Sequence, residues 1–311
     1  MRLLLLGCSG FVGRELVPYL LRLGHDLTVL SRNAQPSGLP RDPRLQLLRG
    51  DPADPNTWRQ DALRQALAEA EGVVNLVGEP IAEKRWTPAH CALLRDSRVR
   101  TTSLLVGAMA ALSPPPRVLV NGSAVGFYGT SEQASFDESS PAGDDLLARL
   151  CVDWEAAARA AEPATRVVLL RLGIVLAADG GALGRMLPVF RLGLGGPVGS
   201  GQQWLSWVHR TDVCRLIATA LEDASYRGVY NAVAPHPARM QELSQALGQV
   251  LGRPSLLPVP GPLLQVLLGD GAKVVLEGQK VRPQHLEEQG FSFQYPELLP
   301  ALVAATSPGP R

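Results

Sequence analysis

Three glycines near the start of the chain constrain its fold more than any other feature. Gly7, Gly10 and Gly13 directly follow the apolar run RLLLL and directly precede a helical pattern of apolar residues. In a strand–turn–helix unit this spacing permits a tight turn, close approach of the backbone to a diphosphate, and close helix–strand packing. The alternative is a tight turn that binds nothing. The motif GCSGFVG predicts a dinucleotide site formed by Gly7, Ser9, Gly10, Phe11, Val12 and Gly13.

Apolar runs alternate with amphipathic stretches through the first 177 residues. The runs DLTVLS, LQLLRGD, GVVNLVG, RVLVNGS and RVVLLRLGIVL predict strands, and helices are expected over residues 60–70, 88–112 and 144–162. Because Pro18 falls inside the helix that follows the glycines, we expect a kink or local loosening near Arg14. Strands that are apolar at nearly every position are typical of a parallel sheet covered by helices on both faces. The sequence therefore predicts an α/β fold, a doubly wound parallel-sheet Rossmann domain over residues 1–177.

The composition of the chain changes after this predicted domain. Glycine- and proline-rich segments, GLGGPVGSG and LLPVPGPLL, separate amphipathic helices such as residues 212–222. We expect a smaller C-terminal α+β lobe over residues 178–311 that binds the substrate. Residues 229–235, VYNAVAP, are expected to rejoin the main sheet as a strand. The final segment, ATSPGPR, contains helix breakers and predicts a frayed tail.

Composition and charge argue against several classes of function. The formal net charge is +1 and no block of five like charges occurs, so we expect neither nucleic acid nor a membrane surface as a partner. No apolar run approaches the ~18 residues that span a bilayer, and the first strand starts at Met1, which leaves no room for a cleavable signal. We therefore expect a cytoplasmic protein. Disulfide or metal-site spacing is absent from the four cysteines, which are Cys8, Cys91, Cys151 and Cys214.

The end of the second predicted strand indicates which dinucleotide would bind. DLTVLS ends at Ser31 and is followed by Arg32, where an NAD enzyme usually has an acidic residue that accepts from the ribose 2′-hydroxyl. A hydroxyl and a guanidinium match a 2′-phosphate instead, so the sequence favours NADP(H). The alternative is that Arg32 is a solvated surface residue. Leu76, Val77 and Gly78, after the fourth strand, should line the adenine-ribose side.

Seven longer segments resemble one family. They are GCSGFVG, VVNLVGEPIAEKRW, DSRVRTT, DESSPAGDDLLARLCVDWEAAA, RLGIVL, FRLGLGGPVGSGQQWLSWVH and LEGQKVRPQHLEEQGFSF. The chain resembles the extended short-chain dehydrogenases/reductases, and among them the NAD-dependent epimerase/dehydratase-like proteins sometimes labelled SulA-like. The resemblance implies a Rossmann domain, a small C-terminal substrate lobe and bound NADP(H). It also implies that Leu93, Arg98 and Leu176 contact the dinucleotide, the alternative for Arg98 being a surface helix residue.

The chain departs from the resemblance where the catalytic residues are expected. Typical extended members have a tyrosine general acid/base, followed four residues later by a lysine that lowers its pKa. Alignment of Glu155 with the glutamate that usually follows this lysine puts Leu147 and Cys151 at the two positions. Neither side chain can perform that proton transfer. Arg98 replaces the asparagine of such sites, whereas the serine is retained as Ser123.

Catalysis would therefore depend on other groups at the carboxyl ends of the strands. We take Glu79 and Ser123 as the candidate catalytic residues. The alternatives are that Glu79 pairs with Lys84 or Arg85 and that Ser123 is an ordinary turn residue. Tyr128, in the turn VGFYG, resembles the structural tyrosine of the family. Trp86 is expected to be a packing residue.

The second lobe offers four further aromatic or polar residues. Trp204 and Trp207 flank a glycine-rich hairpin that could close over a substrate, although such residues more often serve packing. His209 and Asp212, in WVHRTD, are typical of a helix entry with Asp212 near the N-cap.

Two functions from different classes stay open. One is an NADP(H)-dependent oxidoreductase or epimerase-type enzyme that acts on a small molecule of unknown identity. The other is a catalytically silent NADP(H)-binding regulatory or redox-sensing protein with a link to cell or organelle division. Extended relatives often dimerise through two long helices, so analogy predicts a homodimer through residues 88–112 and 144–162.

Overall fold

The computed structural model describes residues 1–34 and 36–307. Of the predicted frayed tail, residues 308–311 lie outside the described residues, and the beginning of the tail completes the last helix, which ends at Thr306. Among the described residues, no helix combines the length and the apolar character that crossing a bilayer requires.

Among the described residues, seven strands form the main sheet and the other six form three two-stranded pairs. In chain order the strands are β1 (Arg2–Leu6), β2 (Asp26–Ser31), β3 (Leu45–Arg49), β4 (Gly72–Asn75), β5 (Val118–Ala124), β6 (Ser135–Phe136), β7 (Arg166–Leu172), β8 (Ile174–Leu176), β9 (Trp204–Leu205), β10 (Trp207–His209), β11 (Gly228–Ala232), β12 (Ala238–Arg239) and β13 (Lys280–Val281). The main sheet is parallel, with the order β11-β7-β5-β4-β1-β2-β3.

The helices of the described chain divide between the two faces of this sheet and the second lobe. In chain order they are α1 (Gly13–Arg22), α2 (Asp61–Glu69), α3 (Pro88–Arg95), α4 (Thr101–Ala110), α5 (Leu146–Arg159), α6 (Gly181–Arg191), α7 (Arg210–Glu222), α8 (Met240–Leu251), α9 (Gly261–Leu268), α10 (Lys273–Leu276), α11 (Gln284–Glu288) and α12 (Leu298–Thr306). Short 3-10 turns cover Thr57–Arg59, Val125–Tyr128 and Gly269–Ala272. The predicted doubly wound α/β Rossmann fold is confirmed, and its topological switch point lies between β1 and β4, where the strand order reverses.

Alternate residues of the central strands enter two separate cores. Leu3 and Leu5 of β1 pack with α1 and α7 on one face, whereas Leu4 and Leu6 pack with α2, α4 and α5 on the other. All four leucines are nearly inaccessible to solvent. A strand covered on both faces has no position for a polar side chain, which explains the run RLLLL.

A third core belongs to the second lobe. It joins β8, α6, α8 and α12 through side chains such as Leu183, Phe190, Leu243 and Leu302. Small strand pairs, β8 with β10 and β9 with β12, connect these helices. Between α7 and α8 the chain returns to the main sheet, because β11 pairs in parallel with β7.

Three details differ from the sequence-based expectation. Helix α7, assigned to the second lobe by its pattern, packs against α1 and β5 and belongs to a core of the main sheet. The helix expected over residues 88–112 consists of α3 and α4 joined by a π-helical turn, Asp96–Arg100. Helix α1 runs through Pro18 without interruption. Its buried side chains each contribute ~1.5–3 kcal/mol, which together exceed the ~3 kcal/mol that an internal proline costs.

Candidate functional site

The glycine-rich turn lies between the end of β1 and the start of α1, at the carboxyl edge of the sheet. Gly7 has a φ of 75°, and a Cβ there would come within 2.5 Å of the carbonyl carbon of Leu76. At Gly13 a Cβ would lie 1.9 Å from the carbonyl oxygen of Cys8. The amide of Gly10 donates to the carbonyl of Gly7 at 3.2 Å and closes the turn. The glycines are therefore required by the close contact of the turn with its neighbours.

Backbone donors at this turn are left open. Within the described part of the chain, the N–H groups of Phe11 and Val12 have no backbone acceptor, and no side chain caps the start of α1 at Val12. Unpaired N–H groups and the positive end of the helix dipole both favour an anion. The turn thus has the donors that a diphosphate requires.

The end of β2 lies beside the turn. Ser31 is buried, its hydroxyl donates to the hydroxyl of Ser9 at 3.4 Å, and it accepts from the amide of Asn33 at 3.2 Å. Arg32 is exposed, and no ion pair of Arg32 occurs within the described ranges. No carboxylate follows β2 at residues 31–34. Two hydroxyls and an available guanidinium suit a phosphate better than a ribose hydroxyl.

The loop after β4 is held by the π-helical turn. The amide of Glu79 donates to the hydroxyl of Ser97 at 3.1 Å, and the carbonyl of Glu79 accepts from Nη2 of Arg98 at 3.0 Å. A Cβ on Gly78 would lie 2.9 Å from the same Nη2. The guanidinium of Arg98 also lies over the ring of Trp154, at 5.3 Å from its centroid, and burial lowers the pKa of Arg98. Arg98 is therefore a partly buried brace of the loop and not a solvated helix residue.

The carboxylate of Glu79 has one ion-pair partner in the described part of the chain. Its Oε1 lies 3.2 Å from Nζ of Lys84, and its side chain is 15% exposed, whereas that of Lys84 is 62% exposed. Arg85, the other partner weighed from the sequence, instead packs against Gly269. The carboxylate therefore combines a sheltered position with a solvated and movable counter-ion.

Ser123 belongs to a buried network that the sequence analysis missed. Its hydroxyl donates to Oε1 of Glu155 at 2.7 Å, and Arg171 donates to both oxygens of the same carboxylate at 2.8 and 2.9 Å. Nη1 of Arg171 donates to the hydroxyl of Tyr128 at 2.9 Å, and this hydroxyl donates to Oδ1 of Asn231 at 2.7 Å. Burial raises the pKa of Tyr128 to about 12. Tyr128 is thus a protonated structural member of the network, as its resemblance implied.

The network fixes what Ser123 can offer to a ligand. A carboxylate paired with a guanidinium only accepts hydrogen bonds, so the single hydroxyl proton of Ser123 is directed to Glu155. Ser123, which is 2% exposed, therefore has only its lone pairs left for a further hydrogen bond. A charged residue within the apolar strand RVVLLRL was the sequence signal for this network.

Leu147 and Cys151 occupy the positions of the absent tyrosine and lysine. The side chain of Leu147 lies against Gly126, and the thiol of Cys151 donates weakly to the carbonyl of Ala124 at 3.7 Å. Burial and, to a smaller extent, the charge of Glu155 raise the pKa of Cys151 to about 12. The thiol is protonated at neutral pH and is a poor nucleophile.

The remaining candidates of the sequence analysis have packing or capping roles. The indole Nε1 groups of Trp204 and Trp207 donate to the carbonyls of Glu132 and His236, at 2.9 and 3.0 Å. Trp86 donates in the same way to the carbonyl of Ile81 at 2.8 Å.

His209, not Asp212, caps helix α7. Nδ1 of His209 accepts from the amide of Thr211 at 3.2 Å. Asp212 lies in the first turn of α7, near the N-cap as expected, where it is buried and accepts from the backbone amides of Gln294 and Tyr295.

Two residues assigned to the dinucleotide by resemblance lie in different surroundings. Leu93 of α3 is 42% exposed. Leu176, at the end of β8, is 1% exposed and packs in the core of the second lobe. A contact of Leu176 with a dinucleotide would have to come from its backbone.

The sequence matches two family descriptions. The NAD dependent epimerase/dehydratase family matches residues 3–232, and a domain of unknown function, DUF1731, matches residues 259–305. Together with the parallel sheet and the glycine-rich turn, these matches define the class of protein. The chain belongs to the NAD-dependent epimerase/dehydratase family.

Individual relatives cover almost the whole chain. It is 45% identical to the chloroplastic epimerase family protein SDR39U1 homolog of Arabidopsis thaliana over 304 residues, which are 96% of this chain and 84% of the relative. Identity to the human epimerase family protein SDR39U1 is 39% over 306 residues, 97% of this chain and 98% of the relative.

Solved structures are similar as well. A crystal structure of human SDR39U1 (isoform2) with NADPH has a TM-score of 0.87 and 38% identity, and covers 98% of this chain and 99% of that chain. UDP-glucose 4-epimerase of Thermus thermophilus, in complex with NAD, has a TM-score of 0.78 at 21% identity, with 98% of each chain covered. At that identity the likeness concerns the fold alone.

Proposed function

We propose that this chain binds NADP(H) at the glycine-rich turn and uses it as an oxidoreductase or epimerase-type enzyme on a small molecule. The observation that carries the proposal is the end of β2, where the hydroxyls of Ser9 and Ser31 lie 3.4 Å apart, Arg32 follows in the chain and no carboxylate occurs at residues 31–34. The NADPH in the crystal structure of the human relative supports it. In this arrangement the amides of Phe11 and Val12 face the diphosphate, and Leu76, Val77 and Gly78 line the adenine-ribose side.

Nucleotide titration tests the binding proposal. By isothermal titration calorimetry, NADPH should bind at least about tenfold more tightly than NADH, because a charge-assisted bidentate contact contributes on the order of 1.5–3 kcal/mol. Arg32→Ala should remove most of this preference. Arg44→Ala, in which an arginine paired with Asp42 is removed from the same stretch of chain, is the matched control. Equal affinities of the wild type for both nucleotides would exclude the 2′-phosphate assignment.

The proton-transfer group is proposed to be Glu79. When bound, the nicotinamide would supply or accept hydride, so the protein must hold the proton that leaves or enters the substrate oxygen. Glu79 follows β4 at the carboxyl edge of the sheet, and its partner Lys84 is exposed enough to move aside. Ser123, whose hydroxyl donates its hydrogen bond to Glu155, would accept a hydrogen bond from a substrate hydroxyl and orient it.

A panel of carbonyl compounds with NADPH tests the catalytic proposal. Glu79→Gln should lower kcat by about 100-fold or more and leave the NADPH affinity unchanged. Glu83→Gln, which removes a neighbouring carboxylate paired with Arg185, is the control. A loss below about threefold in Glu79→Gln would rule out its role. A wild type that binds NADPH and turns over none of the panel would instead fit the silent binding protein.

The assembly and the setting of the protein complete the proposal. We propose a homodimer through α4 and α5, which pack on each other and leave an open surface at Gly107 and at Val152, the latter 41% exposed. Sedimentation of Val152→Asp as a monomer would support this interface.

The near-neutral net charge supports a small-molecule substrate over a nucleic acid or membrane partner. Buried free thiols at Cys8, Cys151 and Cys214 suit a reducing compartment such as the cytoplasm.

A further inference from the structure

We propose that Arg210, at the start of α7, is a positioning residue for the diphosphate site: it holds the glycine-rich turn so that the N–H of Val12 faces the ligand. The inference rests on the proposed binding of NADP(H). Nη1 of Arg210 donates to the carbonyl of Phe11 at 3.1 Å. Its guanidinium also lies over the Phe11 ring, at 5.0 Å from the centroid, and its side chain is 13% exposed. A partly buried guanidinium therefore contacts one residue of the turn at both its backbone and its ring.

The geometry of the peptide determines the direction in which the N–H of Val12 points. The carbonyl of Phe11 and the N–H of Val12 belong to one planar trans peptide, in which the two groups point in opposite directions. Fixing the carbonyl on Arg210 therefore directs the N–H away from Arg210. Within the described residues this N–H has no backbone acceptor. The contact thus prepares a donor at the turn before any ligand arrives.

The charge of Arg210 is neutralised by neighbouring carboxylates, so Arg210 is not itself a phosphate ligand. Its Nε lies 2.7 Å from Oε2 of Glu15, and its Nη1 lies 2.5 Å from Oδ1 of Asp179. Glu15 also accepts from the hydroxyl of Thr211 at 2.5 Å. Two carboxylates around one guanidinium leave no net positive charge for an anion. The arrangement suits a brace.

The second lobe completes the brace. Gly180 and Gly181, just before α6, lie so close to the ring of Phe11 that a Cβ on either would come within 2.6 or 3.1 Å of it. Asp179, which pairs with Arg210, belongs to the same segment. The turn is consequently held between Arg210 of α7 and this segment. Because linkage is reciprocal, a dinucleotide that is bound better by the braced turn must also strengthen the contact of the lobe with the turn.

Titration of both nucleotides to three variants tests the inference. Arg210→Met should weaken NADPH and NADH alike, by about tenfold, because the diphosphate is common to both and a misdirected N–H loses its hydrogen bond. Arg210→Lys should recover part of the affinity, since an ammonium can donate to the Phe11 carbonyl. Arg14→Met is the matched control: Arg14 lies 3.5 Å from the same Asp179 but makes no bond to the Phe11 carbonyl. It should leave both affinities within about threefold.

Each other result has a distinct meaning. Unchanged affinities in Arg210→Met, or an equal loss in Arg14→Met, would overturn the positioning role, the second because it would indicate a general effect of charge. A change in the NADPH-to-NADH ratio would also overturn it, because it would place the effect at the 2′-phosphate. A wild type that binds neither nucleotide would refute the proposed function itself. If Arg210→Met does not fold, Arg210→Lys decides: a loss of NADPH and NADH affinity larger than that of Arg14→Met but smaller than about tenfold supports the brace, and affinities equal to those of Arg14→Met oppose it.

Discussion

Removal of one partner from the buried pair of Glu155 and Arg171 should strongly destabilise the fold. The side chains of Glu155 and Arg171 are 5% and 4% exposed, and the carboxylate of Glu155 also accepts a hydrogen bond from the hydroxyl of Ser123. In Glu155→Leu the guanidinium would keep its charge in the interior without a counter-ion. Breaking such a pair costs about 3–5 kcal/mol, a large part of the ~5–15 kcal/mol by which proteins are stable.

Urea denaturation followed by circular dichroism measures this loss. The double variant Glu155→Leu with Arg171→Met removes both charges, so we expect it to be more stable than Glu155→Leu alone. Glu162→Gln is the control, because its partner Arg159 is 41% exposed and a pair of that kind contributes less than about 1 kcal/mol. The reasoning fails if Glu155→Leu costs no more than Glu162→Gln, or if the losses of the two single substitutions simply add.

Three further predictions concern the turn, the thiols and Tyr128. Gly13→Ala places a Cβ 1.9 Å from the carbonyl oxygen of Cys8 and should abolish NADPH binding in calorimetry; an unchanged affinity would contradict the assigned packing. At pH 8, iodoacetamide should label the half-buried Cys91 before Cys8 and Cys151, whose pKa values burial raises to about 12; mass spectrometry that finds Cys151 labelled first would refute this. Burial also raises the pKa of Tyr128 from 10.0 to about 12, so phenolate forms first in the unfolded chain and stability falls as pH rises through this window. Tyr128→Phe should make the fall shallower, and an identical slope would count against the burial argument.

Local patterns predicted the elements of this fold well. The glycines of the turn and the apolar strands each depend on neighbours within one strand–turn–helix unit, so the sequence around Gly7 and Gly13 carried the information. The place of α7 was harder to predict, because an amphipathic helix shows that one face is covered but not which surface covers it. No helix-breaking residue in the sequence marks the π-helical turn at Asp96–Arg100. Its effect on Glu79, through Ser97 and Arg98, therefore became visible only in three dimensions.

The site shows the same division between local and distant information. Ser31 and Arg32 could be proposed as ligands of a 2′-phosphate because the end of β2 can be located from the local strand pattern alone. The direction of the Ser123 proton depends on Glu155 from α5 and Arg171 from β7, two elements whose contact no local pattern encodes. The two ion pairs of the site differ in the same way, because Glu155 and Arg171 belong to elements that are distant in the chain. Glu79 and Lys84 are near each other in the chain, and that pair was among the alternatives weighed from the sequence.

The return of the chain to the main sheet limits how this protein could be divided. A fragment ending at residue 177 would lack β11, so β7 would become an edge strand with most of its apolar run RVVLLRL unpaired on one side. It would also lack α7, which covers α1. Exposed strand edges and uncovered apolar faces promote aggregation. The two lobes are therefore not separable modules at that point, and exchange of one lobe between relatives by a single crossover would disrupt the sheet of the other.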